Sequence, residues 1–175
     1  DSDDYVETEP IRVNGNGDFD GDDRWEQEGN THVLEGYKID GGGDGYGIYI
    51  GNTTEEFEIR SNYVFNASGN EKEYFENSGI YLNGARNGQI KNNEISNNDG
   101  PGIQLKEEDN IPPSYNTISN NTLSGNGGTG LMLDGSDDNT ISNNTLSGNG
   151  GTGLLLDGSG SNTISNNTLE NNGVG

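Results

Sequence analysis

The chain contains no cysteine, so neither a disulfide nor a thiolate metal site can hold it together. Hydrophobic residues make up only 26% of its 175 residues, well below the share found in an ordinary globule. No stretch approaches the ~20 consecutive apolar residues of a membrane span. Positive charge is scarce too: 8 Lys and Arg stand against 30 Asp and Glu, a formal net charge of −22. That balance disfavours nucleic acid and anionic membrane surfaces as partners. Seventeen of the 30 acids lie in residues 1–60. The excess fits a solvated acidic surface suited to salty water, with calcium binding as the sharper alternative.

Low hydrophobicity with high net charge is ordinarily the composition of a disordered chain. What is present argues otherwise. The line "TISNNTLSGNGGTGLMLDGS" starts at Thr117, returns as "TISNNTLSGNGGTGLLLDGS" at Thr140, and begins again as "TISNNTLENNG" at Thr163. Aligned on one apolar position, the lines run through Leu34, Ile59, Ile90, Ile118, Ile141 and Ile164, at spacings of 25, 31, 28, 23 and 23 residues. A second apolar point follows five residues later, at Ile39, Val64, Ile95, Leu123, Leu146 and Leu169. A Gly-led triplet supplies the third: "GIYI" at Gly47, "GIYL" at Gly79, "GIQL" at Gly102, "GLML" at Gly130 and "GLLL" at Gly153. Periods of this length mark solenoids.

Three short strands per line, with Gly/Asn turns and no helical periodicity, describe an all-β chain. The fold expected is a right-handed parallel β-helix of about six coils. Successive coils pair at about 4.8 Å, so equivalent residues stack in ladders and a small set of aliphatic residues suffices for a core. Asn62, Asn93, Asn121, Asn144 and Asn167 share one turn position and are expected to stack amide on amide. A second ladder runs through Asn98, Asn126, Asn149 and Asn172. Identical coils repeat because each is the template for the next.

The stretch "HVLEGYKIDGGGDGYGIYIGNTTEEFEIRSNYVF", followed by "ISNNTLSGNGGTGL", resembles the NosD-like or CASH-domain β-helix proteins of archaeal and bacterial surfaces. The resemblance covers roughly residues 10–175. It implies a fold shared by enzymes, adhesins and surface modules, and fold alone does not give function. Copper, which the NosD label suggests, needs His, Cys or Met ligands. One His (His32), one Met (Met132) and no Cys argue against it.

Residues 1–10 read as an acidic N-terminal arm and residues 11–175 as one β-helix domain, with Ile11 and Val13 forming a partial first coil. Loops or insertions are expected near residues 19–31, 66–78 and 106–116. Tyr74 and Phe75 in the second of these are available to fold over a sheet. The opening "DSDDYVETEP" reads as a processed terminus, and sequons at Asn52, Asn66, Asn120, Asn143 and Asn166 fit an extracellular or cell-surface location.

Several candidate sites follow. Asp134 and Asp157 occupy equivalent positions one coil apart, near the spacing of a retaining glycosidase pair, although "LDGS" is also an ordinary Asp-Gly turn. Asp18, Asp20, Asp22 and Asp23 form an irregular calcium-loop candidate that lacks the glycine and the final glutamate of an EF-hand. The middle residues of the triplets, Tyr49, Tyr81, Gln104, Met132 and Leu155, should point outward as a binding or assembly stripe. The final line stops where its next triplet should begin. Ile164, Leu169 and Val174 are therefore expected at an open end that the Ile11–Val13 strand of another copy could complete, head to tail. Two functions result: an exported structural subunit of a filament, sheath or surface layer that binds no cofactor, or a carbohydrate-binding or carbohydrate-active β-helix with a glycan as partner.

Overall fold

The computed structural model describes residues 5–69 and 76–174. The chain winds through three parallel sheets. The first carries the "TIS" positions: β4 (Thr31–Glu35), β7 (Glu56–Arg60), β10 (Gly88–Lys91), β13 (Thr117–Ser119), β16 (Thr140–Ser142) and β19 (Thr163–Ser165). The second carries the residue five later, from β1 (Val6–Thr8) through β5 (Tyr37–Gly42) and β8 (Tyr63–Ser68) to β20 (Thr168–Glu170). The third carries the triplets, from β2 (Ile11–Asn14) through β6 (Tyr46–Gly51) and β9 (Ser78–Asn83) to β18 (Leu154–Asp157). Leu34 pairs with Ile59, Ile59 with Ile90, and so on to Ile164, which is the register expected from the apolar points. The inward residues of all three sheets merge into one continuous core, with Ile59, Val64, Leu82, Ile118 and Leu146 among those fully buried.

The triplets begin with glycine because the coils approach closely there. A Cβ at Gly79 or Gly102 would stand 2.7 Å from the carbonyl oxygen of the glycine in the next coil, so any side chain would force the coils apart. The turn between the first two sheets explains the "Asn-Asn" pairs. Asn92, Asn120, Asn143 and Asn166 adopt left-handed φ values of 54–57°, which asparagine tolerates better than most residues. The following asparagine turns inward. Asn121 donates through Nδ2 to Ile90 O (2.8 Å) and to Asn144 Oδ1 (3.0 Å), and Asn93 and Asn144 repeat the pattern. The ladder Asn98–Asn126–Asn149–Asn172 is formed in the same way.

The N-terminal end departs from the sequence-based expectation. Val6–Thr8 is not a detached arm: it is the first strand of the second sheet, parallel to β5. Residues 19–31 do more than loop. A 3₁₀ helix, Asn16–Gly21, carries Phe19 inward, and β3 (Glu26–Glu28) pairs antiparallel with β4. Phe19 stacks on His32 at 4.4 Å and meets Trp25 edge-on at 4.9 Å. Together they cover the first coil, and Ile11 and Val13 are fully buried. Of the residue 66–78 segment, residues 66–68 continue β8 and Ser78 opens β9, while Tyr74 and Phe75 lie outside the described residues.

Candidate functional site

The outer face of the second sheet holds a groove of about 640 Å³. It forms where β1 lies alongside β5. Alternation on β5 sends Ile39 into the core and turns Lys38 and Asp40 outward. On β8 it buries Val64 and turns Tyr63 and Phe65 outward, where their rings stack at 5.0 Å. The segment Glu7–Pro10 makes one wall, Lys38, Asp40 and Asp44 line the floor, and Phe65 closes the far side. The Lys38 ammonium pairs with Glu7 at 2.9 Å and lies 5.6 Å from the Phe65 ring centre. The Glu7 carboxylate raises the Lys38 pKa, so the amine stays charged. Asp40 Oδ1 accepts from the Gly42 amide (3.0 Å) and from Asn66 Nδ2 (2.7 Å). Those bonds fix the carboxylate and leave Oδ2 for an outside donor. Such a site can hold a ring against an aromatic side chain while carboxylates and an ammonium engage its hydroxyls.

The outward stripe is a correction to the sequence-based expectation. Tyr49 is 6% and Tyr81 1% exposed; the two rings lie 5.7 Å apart, and Tyr46 and the Arg12 guanidinium also pack against Tyr49. Tyr81 Oη donates to Glu108 Oε1 (2.8 Å), and Asn83 Nδ2 donates to Glu108 Oε2 (2.6 Å). Buried Gln104 donates to Glu76, whose carboxylate also pairs with Lys106 at 2.5 Å. Burial, reinforced by Glu108, raises the Tyr81 pKa well above that of an ordinary phenol. Only Met132 and Leu155 remain partly exposed. Ile11 and Val13, expected as docking residues, lie inside the chain's own core. Ile164, Leu169 and Val174 are exposed on the last coil, at 41, 47 and 60%.

Asp134 and Asp157 are paired in register, with Lys106 next in the row. Their backbone carbonyls accept from the Ser136 and Ser159 hydroxyls, as turn residues do. The aspartates of residues 18–23 do not converge. Asp18 caps the Asn14 amide (2.8 Å). Asp22 is held by Arg24 through both carboxylate oxygens, at 2.7 and 2.5 Å, which lowers its pKa. Asp20 and Asp23 face solvent. Among the described residues, no three His, Asp or Glu side chains are grouped to hold a metal ion. All five sequon asparagines are exposed and left-handed. The Asn52 and Asn66 amides are engaged, by Asn14 Oδ1 and Asp40 Oδ1.

Sequence reasoning missed the groove and a third ladder. Asn116, Asn139 and Asn162 stack in the turn entering the first sheet, and the thrice-written "NTIS" was the available signal. Phe65 and Lys38 could have been found from the alternation used for the Tyr49 stripe.

The family model for a right-handed β-helix region matches residues 46–175, and the chain belongs to that family. No curated protein matches it. Among solved structures it is similar to the A-module of a mannuronan C-5 epimerase from Azotobacter vinelandii, with a TM-score of 0.65 and 17% identity. The match covers 81% of this chain and 36% of that one, so this chain spans about a third of the epimerase module's length. At that identity the likeness concerns the fold.

Proposed function

We propose that this β-helix is a carbohydrate-binding protein that seats a glycan in the groove between Glu7–Pro10 and Phe65. The observation that carries the reading is the groove itself: an open cleft with an aromatic wall and fixed hydrogen-bonding groups on a flat parallel sheet. Its charge selects the ligand. Glu7, Glu9, Asp40 and Asp44 line the groove against one cation, Lys38, which Glu7 already pairs, so a polyuronate would be repelled and a neutral glycan accepted. A glycan array followed by calorimetry with neutral oligosaccharides and with alginate tests this. Neutral glycans should bind and alginate should not. Phe65→Ala should weaken binding about tenfold or more, a loss of roughly 1.4 kcal/mol. Unchanged affinity in Phe65→Ala, or a preference for alginate, would refute the assignment.

A further inference from the structure

The turn entering the first sheet has one anomalous occupant. Asn87, Tyr115, Asp138 and Ser161 each precede the same ladder position, as the bonds linking Gly88, Asn116, Asn139 and Asn162 show. All four are left-handed, with φ between 54 and 62°. Asparagine and aspartate adopt that conformation at little cost, whereas a bulky aromatic residue there is an outlier. Burial does not compensate, because Tyr115 is 61% exposed. Strain held at an exposed position points to a use outside the fold.

Beside the Tyr115 ring runs a groove of about 250 Å³. Its walls are Asn87, Gln89 and Thr117, with Thr31 and Glu56 further along the same face. The Phe57 ring lies directly beneath Gly88, where any Cβ would come within 2.2 Å of it, and this keeps the floor low. Asn87 spends its Nδ2 on Thr54 O (3.1 Å), which fixes its amide plane. The groove therefore combines one ring face with amide, hydroxyl and carboxylate groups, and holds a single formal charge. That chemistry suits a neutral, hydroxyl-rich ring better than a peptide side chain or an anion.

We propose that Tyr115 and this groove form a second glycan-contact site, on a different sheet from the groove at Phe65 and independent of it. The informative variant is Tyr115→Asn, because asparagine already occupies the same turn in the preceding coil and relieves the backbone. The assay is calorimetry with a panel of neutral hexasaccharides, together with thermal melts. Wild type should bind at two sites per chain. Tyr115→Asn should melt higher than wild type yet lose one site, with affinity there down at least tenfold, while Tyr115→Phe keeps it. Phe65→Ala should lose the other site. One site per chain that Phe65→Ala abolishes and Tyr115→Asn leaves intact would overturn this proposal and spare the first groove. Binding abolished by Tyr115→Asn but not by Phe65→Ala would do the reverse. No binding by wild type to any member of the panel would overturn both.

Discussion

Replacing Asn121 by alanine tests whether the asparagine ladder holds the coils together. Asn121 is 1% exposed. Its Nδ2 donates to Ile90 O and Asn144 Oδ1, and its Oδ1 accepts from the Asn93 amide (2.9 Å) and Asn93 Nδ2 (3.0 Å). After truncation Asn93 Nδ2 still has Ile59 O, and Asn144 Oδ1 still has the Asn121 amide. One buried backbone group is left unpaired, the Asn93 N–H, because the Ile90 carbonyl also lies in the ladder between β10 and β13. For one such group the loss should be about 1–3 kcal/mol. For a chain of this size that corresponds to a fall in Tm of roughly 2–12 °C. Ser142→Ala, on the outer face of β16, should cost no more than about 0.5 kcal/mol. Urea unfolding measures both, provided that the slope is unchanged in each variant. Asn121→Asp should be worse than alanine, since a second acceptor would then face Ile90 O. Equal effects of Asn121→Ala and Ser142→Ala would show that the ladder does not carry the load assigned to it.

Phe19→Ala should cost about 3–5 kcal/mol and act locally, because coils in a solenoid contact only their neighbours. Amide exchange should accelerate in β4 and β5 while β16 and β17 (Thr145–Ser147) keep their protection; a uniform response would contradict the capping role. Glu58 supplies a pH test. Burial alone would raise its pKa, but hydrogen bonds from Lys91 (2.9 Å) and Arg60 (2.8 Å) outweigh it and the net shift is downward. A lowered folded pKa means that the stabilisation is complete above the unfolded value near 4.5 and is lost as pH falls through the folded value. The gap between wild type and Glu58→Gln should accordingly be about 1–3 kcal/mol at neutral pH and narrow as the pH falls below the unfolded value through the lowered folded one. A gap that widens on acidification would reverse the sign argued here.

The β-helix was legible because its register is written in single apolar residues that each coil imposes on the next. Ile90, Ile118 and Ile141 pair as their alignment predicts, despite the insertion between the first two. What the alternation could not show is what covers a face. Tyr49 is covered by Arg12 and its neighbouring tyrosines, Tyr81 by Glu108, and Gln104 by Glu76, and the approach of the two glutamates depends on how the insertions fold back. The cap escaped notice for a related reason. Phe19 and Trp25 lie among Asp18, Asp20, Asp22 and Asp23 and read as a polar loop, although one aromatic pair suffices to close a core only a few residues wide.

The division between repeat and departure bears on where function can reside. In the last coils the outward residues Thr140, Ser142, Thr145 and Ser147 restate those of the coil before, so templating accounts for them fully. The earlier coils depart from the template at specific points: Lys38 and Glu94 flank Tyr63 where later coils have threonine, Phe65 stands where they have serine, and Tyr115 stands where they have Asp138 and Ser161. Each departure has a cost that the repeat avoids, either an aromatic ring left partly in water or a bulky residue in a left-handed turn. Both grooves lie at such points. A solenoid needs only one good coil, written as often as required. The residues at which this chain declines to repeat itself are therefore the ones that the fold does not explain, and the Phe65 and Tyr115 variants ask whether a glycan does.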